Sequence, residues 1–293
     1  MKDEEKNMAE FKIFCNNTAD IPEEKAAELG LHIMPLVITI GEESFKNIPI
    51  DEFYKKLRDG ALPTTSAGNI GEGIEAFEPA VQAGYDVLCL AFSSGLSVTY
   101  EAFSTAAKEL MDKYPGRKVY VIDTLNASSG EAILIYKAAE MRNEGKSIDE
   151  VRNWIEINKK KIMYWLSVDD LDHLKRGGRL SATTAAVGGL LNIKPILHIT
   201  NDGRLEKADK VRGRNQSYKY MIDKMEKTIS NPQEQTVYIP HGDCFEDAVT
   251  LKEQILDRIN VKNVVIHHLG PVIASHTGAG LIAVIYIGKG RQA

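Results

Sequence analysis

The sequence contains few cysteines and no arrangement that would use them together. Cys15, Cys89 and Cys244 lie far apart, and none belongs to a Cys-x-x-Cys pair. A disulfide framework or a structural zinc site needs several closely spaced cysteines, so we expect neither. Cys15 and Cys89 lie inside apolar runs, which predicts that both are small buried side chains.

A long apolar run is also missing. The first ten residues, MKDEEKNMAE, are polar, and no window has the length and apolar character of a membrane span. We therefore expect a cytoplasmic protein without stable membrane insertion. The formal net charge of −5 argues against a broad nucleic-acid-binding face. With 293 residues, 43% of them apolar, the chain can form one large or two medium domains.

The first half of the chain alternates strand-like and helix-like segments. Residues 11–15, 86–92 and 118–123 are apolar runs typical of strands, and residues 99–111 and 130–143 are typical of helices. Such alternation with short connections predicts a parallel sheet with right-handed crossovers. A ligand site would lie at the carboxyl ends of its strands.

The pattern changes in the second half, where strands predominate. Six runs are strand-like: 163–168, 194–199, 204–210, 236–240, 263–268 and 281–287. Two helices, residues 214–229 and 246–259, separate some of them. We therefore predict an N-terminal parallel α/β domain over residues 11–165 and a C-terminal α+β domain with a mixed sheet over residues 166–290. Residues 182–191 are rich in small side chains, which favours close core packing or contact with an acyl chain.

Two hydroxyl-rich segments lie near the predicted strand ends. One is Thr64-Thr65-Ser66, and the other is Ser93-Ser94-Gly95-Leu96-Ser97, which leads into a predicted helix. Hydroxyls and backbone N–H groups at a helix start can hold an anionic head group. The same residue types also cap helices and form turns, so both interpretations stay open at this point.

Two further positions could bind an anion. Arg179 follows a Gly177-Gly178 pair, and its guanidinium can form a bidentate pair with a carboxylate or phosphate. Because the glycines lack the spacing of a Walker loop, the alternative to anion binding is a solvated basic turn rather than a nucleotide site. His276, followed by Thr277 and two glycines, could titrate, orient an anion or serve a structural purpose.

A hydrolase is the main enzymatic alternative, because serine, histidine and aspartate are all present. Ser94 and His276 would be its nucleophile and base. However, the chain has no Gly-x-Ser-x-Gly elbow around any serine.

Taken together, these segments resemble the DegV family of bacterial lipid-binding proteins, which includes the fatty-acid-binding subunits of fatty acid kinases. The resemblance extends from about residue 11 to residue 288 and is carried by ordered blocks. These are Asn17-Thr18-Ala19-Asp20, Pro63-Thr64-Thr65-Ser66, Ser93-Ser94-Gly95-Leu96-Ser97 with Thr99-Tyr100, Asp169-Asp170-Leu171, Gly177-Gly178-Arg179-Leu180-Ser181, Lys194-Pro195-Ile196-Leu197, Val211-Arg212-Gly213-Arg214 and His276-Thr277-Gly278.

The resemblance implies a non-catalytic carrier that encloses one long-chain fatty acid between its two domains, with no other cofactor and no metal. A separate ATP-dependent kinase would convert the bound acid to an acyl-phosphate for phospholipid synthesis. The implied ligand-binding residues are Thr64, Thr65, Ser66, Ser93, Ser94, Gly95, Arg179, His276 and Thr277. Which of Ser93, Ser94 and Ser97 holds the carboxylate stays open. Arg212 and Arg214 fall in the block that would face the kinase.

The chain departs from the family pattern at three places. Ala67-Gly68-Asn69 stands where the family usually has Gln-Pro-Ser, Asn16 replaces an aspartate, and Val98 replaces a glycine. The first change adjoins the implied head-group site, so it bears on carboxylate contact and acyl preference. A carrier or sensor of another lipid is therefore a further alternative.

Overall fold

The computed structural model describes residues 10–169, 171–180 and 192–291, and shows a mixed α/β fold. The small-residue segment 182–191 lies outside the described residues. The strands are β1 (Phe11–Asn16), β2 (Leu31–Met34), β3 (Ile38–Ile40), β4 (Glu43–Phe45), β5 (Thr64–Thr65), β6 (Asp86–Ala91), β7 (Val119–Asp123), β8 (Ile162–Ser167), β9 (Ile193–Ile199), β10 (Leu205–Arg212), β11 (Thr236–His241), β12 (Asn263–His268) and β13 (Ile282–Ile287). The helices are α1 (Glu23–Glu28), α2 (Ile50–Arg58), α3 (Ile70–Gln82), α4 (Thr99–Lys113), α5 (Ser128–Asn143), α6 (Ile148–Asn158), α7 (Asp172–Arg176), α8 (Arg214–Thr228), α9 (Phe245–Arg258) and α10 (Pro271–Thr277).

The N-terminal sheet is parallel, as the strand–helix alternation predicts. Its strand order is β2-β1-β6-β7, and each neighbouring pair runs parallel. Every residue of β6 is buried, because helices cover both faces of the sheet. Phe77 of α3 and Phe103 of α4 pack with Cys89 on one face, while Leu134 of α5 packs in the core that contains Leu90.

The C-terminal sheet is mixed, which confirms the predicted fold class. Its strand order is β10-β9-β8-β13-β11-β12, and only the β11–β12 pair is parallel. Helices α8 and α9 cover its outer face through a second buried cluster. Since β8 begins at Ile162, this sheet starts inside the predicted N-terminal domain. The boundary at residue 165 itself stays a prediction.

Helix α5 lies between the two large sheets and is the central element of the fold. It contacts β1 of the first sheet and β8, β11 and β13 of the second. Its first turn can approach β8 because Gly130 has no side chain: a Cβ there would come within 1.6 Å of the Tyr164 hydroxyl oxygen. A helix buried on several sides does not show a single apolar stripe, and α5 accordingly has buried residues all around its axis.

The sequence pattern did not predict α3. This helix begins with a capping box in which the Asn69 side chain accepts from Glu72 N (3.0 Å) and Glu72 accepts from Asn69 N (3.0 Å). Its segment contains two glycines and Pro79, which are poor helix formers. Gly73 is needed where α3 meets α4, since a Cβ there would lie 2.9 Å from Ala106 Cβ.

None of the helices in the described part of the chain has the length and apolar character to cross a bilayer.

Candidate ligand-binding site

A largely apolar cavity lies between the two sheets. The space between its lining atoms, including its open mouth, is about 800 Å³. The apolar part of its wall comprises Leu36, Ala67, Phe92, Leu96, Ala127, Leu166, Leu174, Ile199, Leu205, Pro240, Leu269, Val272, Ile273, Leu281 and Ala283. The polar part comprises Thr65, Ser66, Ser97, Ser128, Tyr164, Arg179, His276 and Thr277.

Thr65 and His276 form the central contact of the polar wall. Pairing of β5 with β3 places Thr65 opposite Ile38, while His276 lies in the last turn of α10. The Thr65 Oγ1 atom is 2.7 Å from His276 Nε2. On the other side of the ring, a Cβ at Gly177 would lie 2.4 Å from His276 Nδ1. Gly177 therefore allows the end of α7 to pack against the imidazole.

His276 is held in its neutral form. Burial, reinforced by the positive charges of Arg179 and Arg176, lowers the pKa of His276 to about 4. A neutral imidazole has one donor and one acceptor nitrogen, so His276 Nε2 can either donate to the Thr65 hydroxyl group or accept from it.

Arg179 supplies a positive charge to the same wall. Its Nε donates to Leu96 O (2.9 Å) and its Nη1 donates to Gly177 O (2.5 Å). Burial lowers the pKa of its guanidinium. Among the described residues, no carboxylate forms an ion pair with Arg179, so its half-buried positive charge lines the cavity without a negatively charged partner from them. An anionic ligand group would supply a negative charge there.

A second, polar cleft adjoins the cavity at Arg179. Gly95, Arg204 and Lys227 also line this cleft, and Arg179 belongs to both walls. Tyr164, Ile199 and Leu205 also line both, and Arg179 is the one charged side chain among these four shared residues.

The structure brings five of the nine implied ligand-binding residues to the cavity. Thr65, Ser66, Arg179, His276 and Thr277 line it, whereas the other four implied residues do not. Those four are Thr64, Ser93, Ser94 and Gly95. Thr64 is exposed on β5, where it pairs with Thr39.

Ser93, Ser94 and Gly95 make contacts within the protein instead. Ser93 Oγ donates to Gly203 O (2.8 Å), which ties this loop to the β9–β10 hairpin. Ser94 Oγ donates to Asp123 Oδ2 (2.5 Å), and Ser94 N donates to Asp123 Oδ1 (3.1 Å). A Cβ at Gly95 would lie 2.6 Å from Asp202 O, so only glycine allows the hairpin to approach. Of the three serines in the segment, Ser97 is the one that lines the cavity.

The described hydrogen bonds do not pair Ser94 with His276, because the two side chains bond Asp123 and Thr65 respectively. A serine–histidine contact does occur at Ser129, whose Oγ is 2.5 Å from His267 Nε2. Ser129 is buried and is not part of the cavity wall. Within the described part of the chain, the cavity wall therefore has no hydrogen bond between Ser94 and His276, the pair expected of a serine hydrolase.

Three further polar residues line the cavity: Tyr164 and Ser128, which the sequence did not predict, and Ser97, which was left open. Tyr164 donates from its hydroxyl to Ala127 O (2.9 Å), and Ser128 bonds Asp20 (2.5 Å). Ser97 Oγ lies 2.8 Å from Thr99 Oγ1. Ser97 was one of three candidate serines, but no local signal marks Tyr164 or Ser128, because their position depends on how α5 meets β8.

The two arginines of the implied partner-binding block differ in their surroundings. Arg212 is exposed at the end of β10. Arg214 begins α8 and has a side chain only 17% exposed, with ion pairs to Asp247 (3.0 Å) and Asp169 (3.5 Å). Arg212 is the freer of the two for contact with another molecule.

Among residues 10–169, 171–180 and 192–291, no group of three histidine, cysteine, aspartate or glutamate side chains converges to hold a metal ion.

Comparison with known proteins identifies relatives along nearly the whole chain. Residues 10–289 match the profile of the family described as "Uncharacterised protein, DegV family". A DegV domain-containing protein of Clostridium perfringens is 44% identical over 290 residues, which cover 97% of this chain and 100% of that protein. One from Streptococcus pyogenes is 35% identical, covering 96% of this chain and 99% of that protein.

Solved structures give the same assignment. A DegV family protein from Thermus thermophilus, described as fatty acid binding, superposes with a TM-score of 0.83 at 30% identity, covering 95% of this chain and 99% of that chain. The fatty acid binding DegV family protein from Streptococcus agalactiae superposes with a TM-score of 0.84 at 26% identity, covering 97% of this chain and 100% of that chain.

Proposed function

Since the chain belongs to the DegV family, we propose that it binds one long-chain fatty acid in the cavity between its sheets and presents the carboxylate to a separate kinase. The observation that carries this proposal is that one cavity combines an apolar wall with a polar wall centred on Thr65, His276 and Arg179.

The apolar wall supports an acyl chain as the ligand. Each buried CH₂ group contributes about 0.8 kcal/mol, so a chain of about sixteen carbons gives a large driving force for binding. The structural relatives from Thermus thermophilus and Streptococcus agalactiae are described as fatty acid binding proteins. A fatty acid satisfies both walls, because it is apolar along its length and anionic at one end.

We propose that the carboxylate lies against Thr65, His276 and Arg179, with Ser66, Ser97 and Thr277 nearby. An unpaired carboxylate is costly to bury, and hydrogen bonds to an ionised group contribute about 1.5–3 kcal/mol each. Arg179 supplies a charge that no described carboxylate neutralises. Ser93, Ser94 and Gly95 would act from outside, by fixing the loop whose Leu96 carbonyl accepts the hydrogen bond from Arg179.

We propose further that this chain catalyses no reaction itself. The described hydrogen bonds do not pair Ser94 with His276, so the esterase alternative lacks its nucleophile–base contact. In the reaction we propose, a carboxylate oxygen attacks the γ-phosphorus of ATP, the β–γ bridging P–O bond breaks and ADP leaves. The partner kinase would bind ATP and approach through the polar cleft beside Arg179, with exposed Arg212 available for docking and Arg214 held in its ion pairs.

Denaturing mass spectrometry of the organic extract from purified protein tests the fatty acid proposal. We expect a stoichiometric fatty acid whose length and unsaturation report the preference. As a matched variant, Ala283→Leu fills part of the apolar wall and should reduce the extracted amount. A clean extract from wild-type protein, repeated after incubation with several fatty acids, would contradict the proposal, and another lipid in the extract would replace the proposed ligand.

The kinase proposal needs a separate assay. Purified chain, loaded with fatty acid, is mixed with ATP and the catalytic subunit of a bacterial fatty acid kinase, and acyl-phosphate is trapped with hydroxylamine. We expect product only when both proteins are present, and less product with Arg212→Glu. Product formed by the loaded chain and ATP alone would contradict the non-catalytic assignment.

A further inference from the structure

Asp20 is a buried carboxyl group that joins three elements of the fold. It directly follows the short 3-10 turn Asn17–Ala19 after β1. Its Oδ2 is 2.5 Å from Ser128 Oγ at the start of α5, and its Oδ1 accepts from Gly270 N (3.1 Å) immediately before α10. One side chain therefore links the end of β1 to the first residues of two helices.

The backbone around Asp20 is specialised for these contacts. Asp20 and Ser128 both have left-handed backbone conformations, with φ of 55° and 50°. Such conformations are uncommon outside glycine and persist where surrounding contacts fix them. At Gly270 a Cβ would lie 2.2 Å from Asp20 Oδ1, so only glycine allows the carboxyl to reach the backbone N–H.

A second hydroxyl–carboxyl contact lies beside the first. Thr18 Oγ1 donates to Glu131 Oε2 (2.9 Å), again between the 3-10 turn and the first turn of α5. The Thr18–Glu131 and Asp20–Ser128 contacts thus attach the 3-10 turn and the residue after it to α5. They fix the position of the Asp20 carboxyl group, which in turn accepts the hydrogen bond from the start of α10.

Helix α10 connects Asp20 to the proposed head-group site. The helix rises about 1.5 Å per residue, so Gly270 at its start and His276 in its last turn are roughly 9 Å apart. Ser128 and His276 both line the cavity. We propose that Asp20 is a positioning residue for the head-group site: by holding the start of α10, its carboxyl group sets the position of His276 against Thr65. This inference rests on the proposed function and adds a residue that does not touch the ligand.

The surroundings of Asp20 make this contact sensitive to pH. Burial raises the pKa of Asp20 to about 7, although the hydrogen bonds from Ser128 and Gly270 act in the opposite direction. The titratable groups that interact with it are Glu131 of α5, whose pKa is raised by burial, and Tyr54 of α2, whose pKa is also raised. His267 of β12 contacts the next residue of α5, Ser129, and has a pKa lowered by burial. His276 has a pKa of about 4 and does not titrate near neutrality.

The sign of the effect follows from the raised pKa. While Asp20 is bonded to Ser128 and Gly270, its raised pKa favours the protonated form, whereas breaking these contacts lets water reach the carboxyl group, which then ionises at its usual, lower pKa. We place fatty acid binding in the bonded arrangement, so affinity should fall as pH rises through about 7. The fraction of Asp20 protonated at a pKa of about 7 falls about tenfold from pH 6 to pH 8.

The test measures the affinity of cis-parinaric acid, a fluorescent C18 fatty acid, from pH 6 to pH 8. Wild-type protein should bind about tenfold more weakly at pH 8 than at pH 6, and Asp20→Asn should show no such slope. Asp86→Asn is the matched control, because Asp86 is a buried aspartate at the opposite end of the same sheet, bonded to Lys118 N (2.9 Å). It should keep the wild-type slope. Ser128→Ala removes a hydrogen bond that lowers the Asp20 pKa, so its midpoint should move to higher pH.

A double-mutant cycle with His276→Ala separates positioning from general stabilisation. Asp20→Asn should weaken binding much less when His276 is already absent. The positioning role would be overturned if Asp20→Asn weakened binding equally with and without His276. It would also be overturned if wild-type protein bound the probe with the same affinity at every pH. Either result leaves the fatty acid proposal intact. If Asp20→Asn does not fold, Ser128→Ala takes its place: a midpoint of the pH dependence that stays at the wild-type value would also overturn the positioning role. A wild-type protein that binds no probe at any pH contradicts the proposed function itself, and the positioning role with it.

Discussion

The two hydroxyl-rich segments look equivalent in sequence but differ in what they contact. Thr65 and Ser66 line the cavity, and Thr65 is bonded to His276. Ser93 and Ser94 bond Gly203 and Asp123 instead, outside the cavity wall. Hydroxyl groups at strand ends therefore serve either a ligand or the joining of two parts of the protein, and only the tertiary arrangement distinguishes these uses.

Thr65→Val should produce the largest change, because it removes a hydroxyl that we place against the ligand carboxylate. A hydrogen bond to an ionised group contributes about 1.5–3 kcal/mol, so fatty acid affinity should fall about 10- to 100-fold. Thr39→Val is the control, since Thr39 of β3 pairs with Thr64 of β5, next to Thr65, but does not line the cavity. Fluorescent fatty acid titration gives both values. Equal losses in the two variants would remove Thr65 from the site.

Gly95→Ala should mainly affect stability. The new Cβ would lie 2.6 Å from Asp202 O and from the carbonyl carbon of Gly203, so the β9–β10 hairpin must move. Overpacking of this kind costs roughly 1–3 kcal/mol, which urea denaturation measures directly. An unchanged free energy of unfolding would show that the loop and the hairpin are not held together as tightly as this contact indicates.

The free energy of unfolding, measured as a function of pH, distinguishes the two segments, because Thr65 of the cavity-facing segment is bonded to His276. The pKa of His276 is about 4 in the folded protein and about 6.5 in the unfolded chain. Between these pH values the unfolded chain binds more protons, so His276 lowers the free energy of unfolding as pH falls from 6.5 to 4. In His276→Gln this contribution disappears. The free energy of unfolding of the wild type relative to this variant should fall by up to about 2 kcal/mol between pH 7 and pH 5. A constant difference across that range would contradict burial of a neutral imidazole.

Ser94→Ala should give the smallest change and the sharpest test of the comparison. Loss of the hydrogen bond to Asp123 should lower the free energy of unfolding by about 1 kcal/mol and leave fatty acid affinity within about twofold. Ser97→Ala, by contrast, removes a hydroxyl from the cavity wall and should weaken binding. If Ser94→Ala weakens binding more than Ser97→Ala, the assignment of the two serines is reversed.

Much of the fold follows from local patterns in the sequence. The buried run of β6 and the alternation around it predict a parallel sheet, and the later strands predict a mixed one. Helix α3 was missed because two glycines and a proline mask its periodicity. The central position of α5 was missed as well, since its apolar residues do not form a single stripe that would reveal its orientation.

The site was predicted less completely, because its contacts join distant parts of the chain. Thr65 and His276 were both candidates, but 211 positions separate them and no local signal pairs them. Asp20 appeared only as part of a family motif, and its contact with Gly270 spans 250 positions. Residue types can suggest which side chains bind a ligand, but buried side chains that hold those residues in place become visible only in three dimensions.

The position of α5 between two sheets has a consequence for synthesis of the chain. Because α5 also packs on β11 and β13, some of its partners leave the ribosome about a hundred residues after it. Until then the nascent protein carries an uncovered apolar helix on a finished parallel sheet, a state prone to aggregation. We therefore expect the first half of this protein to be prone to aggregation until the strands of the second half cover α5.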